Sequence, residues 1–478
     1  MNVLFAASEA VPFLKTGGLA DVIGALPKEL KKQGVKAQVI LPKYENIPEQ
    51  FKEKMIHKTS ITVPVGWREQ FCGIEYLEHE GITFYFIDNE YYFKRGDGVY
   101  GFYDDGERYA YFCRAVLEAL PHLNEKPDII HCHDWQTGMI SVLMKAHYRN
   151  HPDYQGIKTM FTVHNLRYQG VFPKEILHDL LDLSELYFHA DGLEFHGNVS
   201  FMKAGLVYSD IITTVSPTYA EEIKMPYYGE NLDGLLRKRS HELHGIVNGV
   251  DYDLYSPETD ANLFSNYTKY SYEEKLVNKC ALQERIGLPV DETKPMVALI
   301  TRLTDQKGID LILYVLHEIL ELDLQFVVLG TGEKEYEDRL KEAAWHHADK
   351  CSAQIYFDEG LARKLYAASD LFLMPSQFEP CGISQLLALR YGSLPIVRET
   401  GGLKDTVQPY NKYTNEGVGF SFANYNAHDM LYTIEQAVAL YHEDKAAWSD
   451  LVWRAMNKDF SWKSSSEKYK KLYDSLLK

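Results

Sequence analysis

Short apolar runs closed by polar residues or glycine recur along the chain, with stretches of helical spacing between them. Residues 2–7 predict a first strand, followed by a glycine-containing loop at 8–18. Leu19, Val22, Ile23, Leu26 and Leu30 then mark the buried stripe of a helix that ends at Gly34. Pro27, inside that helix, is expected to kink it or to cost a backbone hydrogen bond. Residues 37–41 predict a second strand. This strand, helix and strand point to a doubly wound, Rossmann-like domain, although the loop lacks GxGxxG spacing.

Residues 44–125 read as mixed, with β-rich pieces at 61–65, 74–77 and 83–87 and a helix near 109–120. Between them, the Gly/Asp/Tyr-rich residues 90–107 are expected to form a long surface loop. Strands of parallel type resume at 129–133, 160–163 and 211–215. Their ends are polar: His133-Asp134-Trp135, His164-Asn165 and Ser216-Pro217. Around residues 246–251 a strand running into an Asn-Gly turn marks a domain linker.

A helix near 272–286 leads into a second α/β series. It comprises a strand at 296–300, a helix at 309–320, strands at 325–329 and 355–357, and the turn at 330–332. Residues 370–375 form an apolar run stopped by proline, the pattern of a buried parallel strand. A helix at 382–391, with Gly392 just past its end, and a strand at 394–397 follow. Helices at 427–441 and 464–477 close the chain. Two such series predict an α/β protein with two Rossmann-like domains facing across a cleft.

The length of 478 residues suits two or three domains. A net charge of −18 argues against a general nucleic-acid binder, so any phosphate must be held by a few focused cations and amides. Six scattered cysteines read as free thiols in a reducing cytosol. No apolar run reaches the ~20 residues of a membrane span, and the first residues lack a positive leader, so a cytoplasmic protein is expected.

Candidate chemistry gathers at strand ends. Lys15 stands beside Gly17 and Gly18 at a helix start, which suits a phosphate, although a lone lysine in a turn is ordinarily just solvated. Arg302 ends a strand and Lys307 precedes a helix, a spacing that can clamp a diphosphate or simply carry two surface cations. Glu379 lies before a helix start, and Thr400, Gly401 and Gly402 form a turn whose amides can face an anion. TGGLADV at Thr16 and TGGLKDTV at Thr400 echo one another at two strand-to-helix junctions. His131, His133 and His164 do not have convincing metal spacing; no metal is expected, and a site for a hydroxyl-rich ligand reads better.

Together these motifs resemble the family of bacterial glycogen synthases and plant starch synthases. The match runs through nearly the whole chain: KTGGLADV at Lys15, HCHDWQTG at His131, FTVHNLRYQGVFP at Phe161, FMKAGLVYSD at Phe201, NGVD at Asn248, TRLTDQKG at Thr301, and PSQFEPCGISQ through ETGGLKDTV. The resemblance implies a GT-B fold, with residues 1–245 on the acceptor-glucan side, 246–455 on the nucleotide-sugar side and 456–478 a C-terminal helix placed back on the N-terminal domain. It implies retaining transfer of glucose from ADP-glucose to the non-reducing end of an α-1,4-glucan, with no cofactor and with no nucleic-acid or membrane partner. It assigns Arg302 and Lys307 to the diphosphate and Lys15, with Gly17 and Gly18, to the sugar nucleotide. It sets Asn248, His164 and Asp134 around the sugar, and Glu9, Asp21 and Asp134 toward the acceptor. Glu379, Cys381 and Gly382 match the donor segment, and Thr400, Gly401, Gly402 and Leu403 lie beside the donor.

Three positions depart from the family pattern: Cys132, Arg167, and the adjacent rings Tyr356 and Phe357, either of which is a candidate to stack on the base. Glu379 is the obvious carboxylate for either a covalent intermediate or electrostatic stabilisation, and the second role is favoured. Rival readings are a sugar-nucleotide 2-epimerase, a pyridoxal-dependent glucan phosphorylase and a silent glycan-binding protein. The last should have lost Lys15, Arg302 or Glu379, and all three are present.

Overall fold

Apolar runs buried on both faces need neighbours on both edges, and this chain answers with two mainly parallel sheets. A computed structural model describes residues 1–96 and 98–478. They form two units, Met1–Gly249 with Trp462–Lys478, and Val250–Ser461.

In the first unit a nine-stranded sheet runs in the order Leu243–Gly245, Ile211–Thr214, Lys158–Val163, Ile129–His133, Asn2–Ala6, Lys36–Pro42, Ile82–Asp88, Arg68–His79, Ile56–Val65. Pairing is parallel except where Arg68–His79 meets its two neighbours. Asn2–Ala6, the first strand, has Lys36–Pro42 on one side and Ile129–His133 on the other. Strand order therefore reverses beside it, and the loops after Ala6 and His133 leave neighbouring carboxyl ends, where open α/β sheets bind ligands. The helix Gly18–Lys32 covers the sheet with Leu19, Val22, Ile23, Leu26 and Leu30 buried, and it continues through Pro27.

Residues 90–107 are only in part the expected surface loop, which among the described residues persists between Phe93 and Asp105. They contain the helix Glu90–Phe93, with Tyr92 and Phe93 buried, and the start of the helix Asp105–Ala119. Arg108, fully buried, pins this stretch: it donates to Asp105 at 2.5 Å and to the carbonyls of Tyr92 and Val99 at 2.8 and 3.1 Å. Residue 97 of this stretch lies outside the described residues. The strand expected at 246–251 ends earlier, as Leu243–Gly245, and Gly249 instead lies against the Trp462 backbone, where a Cβ would come within 2.6 Å. That contact seats the last helix, Trp462–Leu476, which is tied to this unit through Ser465 to Val247, Gln33 to Ser466, and Tyr473 to His131.

The second unit holds a six-stranded parallel sheet in the order Cys351–Gln354, Gln325–Leu329, Met296–Ile300, Leu371–Met374, Leu394–Arg398, Phe420–Phe422. Met296–Ile300 is flanked by Gln325–Leu329 and Leu371–Met374, a second point of reversal. The expected strand at 355–357 is displaced: pairing ends at Gln354, and Phe357 projects into solvent, 82% exposed. The expected helix at 309–320 is divided into Ile309–Tyr314 and Leu316–Glu321 by Val315, whose ψ of 21° is not helical. Among the described residues no helix is long and apolar enough to cross a membrane.

Candidate active site

Both reversal points carry the residues singled out from the sequence. In the second unit, residues 301–308 leave Met296–Ile300 and residues 375–383 leave the adjacent Leu371–Met374. Gly308 sits at φ 72°, and a Cβ there would lie 2.2 Å from the Pro375 carbonyl oxygen. Only glycine lets the two loops approach so closely. The approach brings Lys307 Nζ within 2.6 Å of Glu379 Oε2, which also accepts from Ser376 Oγ at 2.9 Å. Glu379 is buried, whereas Arg302 is exposed at the strand end. Lys307, Ser376, Glu379, Gly382 and Ser384 line a cavity of about 50 Å³.

The turn before the helix Gly401–Thr406 locks onto the same loop. A Cβ on Gly401 or Gly402 would lie 2.0 Å from the carbonyl oxygen of Glu379 or Cys381. The Gly402 amide, expected to face an anion, donates instead to the carbonyls of Glu379 and Pro380, both at 3.1 Å. Its role in this structure is to hold the Glu379 loop. Gln385 Nε2 adds bonds to the carbonyls of Cys381 and Gly382, both at 3.0 Å. Thr400, Cys381 and Leu403 are buried around this junction. Tyr356 is bonded to Gln354 at 2.9 Å, beyond the sheet edge.

In the first unit the loop after Asn2–Ala6 folds so that Glu9 Oε2 accepts the Thr16 amide at 2.6 Å. Burial raises the Glu9 pKa against the lowering effect of that bond. Gly17 caps the helix that begins at Gly18, and Lys15 pairs with Asp21 at 2.8 Å. From the neighbouring strand end, Asp134 takes φ 58° and its Oδ1 accepts the His164 amide at 2.7 Å. Burial pushes Asp134 up to about 7; the amides of His164 and Asn165 oppose the shift, and the charge of Glu9 adds to it. Asn248 is buried, with its Oδ1 unpartnered among the described residues.

The three histidines do not converge on a point. His131 bonds Tyr473 at 2.7 Å and Thr162 at 2.6 Å, and His133 Nδ1 meets His164 Nε2 at 2.9 Å. Burial depresses all three pKa values, that of His164 to about 3. Sequence reasoning missed Ser376 as a partner of Glu379, and Ser8, whose hydroxyl bonds Tyr100 at 2.8 Å. The only signal for either was a small hydroxyl residue just past a strand end.

Residues 2–238 match the family model described as the starch synthase catalytic domain, and residues 282–450 match that of glycosyl transferases group 1. A glycogen synthase of Clostridium acetobutylicum is 58% identical over 478 residues, with 100% of both chains covered. One from Desulforamulus reducens is 57% identical over 477 residues, covering 100% of this chain and 99% of its own. The catalytic domain of starch synthase IV from Arabidopsis thaliana, solved bound to ADP and acarbose, superposes with a TM-score of 0.92 at 34% identity, over 100% of this chain and 99% of that one.

Proposed function

The chain belongs to the glycogen synthase family, with a GT-B fold, and from that premise we propose that it transfers glucose from ADP-glucose to the non-reducing end of an α-1,4-glucan, with retention at C1. The observation that carries this reading is the contact of Lys307 with buried Glu379 at the reversal point of the second sheet. A cation and a carboxylate fixed in one cavity suit the two halves of a sugar nucleotide, the ammonium its diphosphate and the carboxylate its sugar hydroxyls.

In the reaction the bond from glucose C1 to the ADP oxygen breaks and a bond from C1 to a glucan hydroxyl oxygen forms. The hydroxyl proton leaves with the phosphate. Charge builds on the departing ADP, so donors there act mainly in the transition state; the loss of one such donor costs roughly 10²–10³ in rate. We assign Lys307 and Arg302 to that charge, with Lys15 as a third cation. Glu379 positions the sugar and stabilises charge at C1; Cys381, Gly382, Thr400, Gly401, Gly402 and Leu403 shape the donor pocket, with Tyr356 or Phe357 beside the base. On the first unit, Asn248, His164 and Asp134 receive the sugar, and Glu9, Asp21 and Asp134 the acceptor. The six free thiols suit a cytoplasmic enzyme.

The test offers ADP-glucose and UDP-glucose separately with glycogen and measures incorporated glucose. Incorporation from ADP-glucose, exceeding that from UDP-glucose, is expected. No incorporation from either donor overturns the proposal.

A further inference from the structure

Thr162 pairs with His133 across the sheet, which brings His164 alongside it two residues further on. The facing nitrogens, His133 Nδ1 and His164 Nε2, are 2.9 Å apart. Burial holds both rings in the neutral form near neutral pH. One proton therefore lies between these nitrogens and belongs to one of the two rings.

The far nitrogen of His133 decides which. His133 is 0% exposed, and its Nε2 has no hydrogen-bond partner among the described residues. The rings of Phe5 and His131 pack against it, at 5.9 and 4.1 Å between centroids. Were His164 the donor, His133 would carry its own proton on Nε2, a buried N–H with nothing to receive it. With His133 as donor, Nε2 is only an unused lone pair, and buried N–H groups without acceptors are rarer in proteins than under-used acceptors.

We propose that His133 is a positioning residue, donating from Nδ1 to His164 Nε2 and thereby holding His164 in the tautomer that carries its proton on Nδ1. The His164 ring is half-buried and its Nδ1 bonds no described residue, so that N–H is what the ring offers a ligand. His164 thus presents a donor to a sugar oxygen rather than an acceptor to a sugar hydroxyl. This consequence rests on the reading of His164 as part of the transfer site; the tautomer does not.

Neutron diffraction from crystals of the full chain exchanged into D₂O locates the deuterium directly. Density on Nδ1 of both rings and none on His164 Nε2 is expected; deuterium on His164 Nε2 overturns the proposal. Two variants carry the kinetic side. His133→Asn keeps an N–H at the δ position, and His133→Leu removes it. The leucine variant should lose about tenfold in kcat, the size of one lost hydrogen bond, with KM for ADP-glucose little changed, and the asparagine variant should recover most of that loss. Equal impairment of both variants overturns the proposal even if the leucine variant is poorly folded. Failure of the wild-type chain to transfer glucose would instead sink the assigned function and leave the neutron result standing.

Discussion

Lys307 and Glu379 neutralise one another across 2.6 Å, so a diphosphate arriving at the ammonium competes with a carboxylate already in place. Lys307→Ala removes a charge-assisted bond worth roughly 1.5–3 kcal/mol, and ADP affinity measured by calorimetry should fall about 10–100-fold. Glu379→Ala removes the competitor and leaves the cation. ADP affinity should hold or rise while glucose transfer drops, the mark of an interaction used mainly in the transition state. Equal loss of ADP binding in both folded variants would move Glu379 from the sugar to the phosphate. Asp134 makes a different prediction. Its folded pKa of about 7 stands above the unfolded value of about 3.9, so the folded state holds the proton more tightly. The group imposes no penalty below about pH 4, and its penalty on stability grows as pH rises until about 7. Asp134→Asn keeps an acceptor for the His164 amide and tolerates the positive φ. Denaturant unfolding should show the variant gaining on the wild type by roughly 2.5 kcal/mol between pH 5 and pH 8. A gap that does not widen with pH would place the Asp134 carboxyl in a wetter site. The sequence alone could name Lys307, Glu379, His133 and His164 but not pair them. Each pair is bonded across neighbouring strands that are distant in the chain, so sheet order creates the contact.

Strands were legible wherever an apolar run was buried on both faces, as at Met296–Ile300, Gln325–Leu329 and Ile129–His133, because nothing but sheet neighbours satisfies such a run. Legibility failed where burial came from a specific contact. Arg108 buries residues that read as polar loop, and residues 355–357 read as strand although no neighbour pairs beyond Gln354. The helix Lys334–His346 escaped because it buries only Leu340. Glycine spacing was visible as turns, but not the close approaches that require it. Gly401, at φ 44°, supports the Glu379 loop by contact, whereas Gly34, at φ 82°, has open space around it. Gly34→Ala should cost only the left-handed strain of about 1–2 kcal/mol. Gly401→Ala adds a clash with the Glu379 carbonyl, so it should lower thermal stability further and reduce glucose transfer well beyond Gly34→Ala. If the two variants melt together and remain equally active, the junction at Glu379 is more yielding than this packing implies.

At the scale of the molecule, the net charge of −18 sets a long-range field that repels an anionic sugar nucleotide. Beyond about 8–10 Å that field is screened at physiological ionic strength, so binding is decided by the few cations that reach the ligand. Lys15 is shared with Asp21, Lys307 with Glu379, and Arg302 stands exposed at its strand end. Lys307 is held in place by Glu379 and by the close approach of its loop to Pro375, and on the proposed reading its help counts most as charge develops on departing ADP. The proposed reading gives such side-chain cations the part a divalent ion would otherwise play. Glucose incorporation from ADP-glucose into glycogen should therefore persist in excess chelator with no divalent metal added. The control is Lys307→Ala under the same conditions, which should transfer slowly whether chelator or magnesium is present. If chelator abolishes wild-type transfer and magnesium restores it, the cations do not carry the leaving-group charge alone. If magnesium rescues Lys307→Ala but leaves the wild type unchanged, the ammonium and the ion are interchangeable at the phosphate, and the protein's own cation is what makes the metal dispensable.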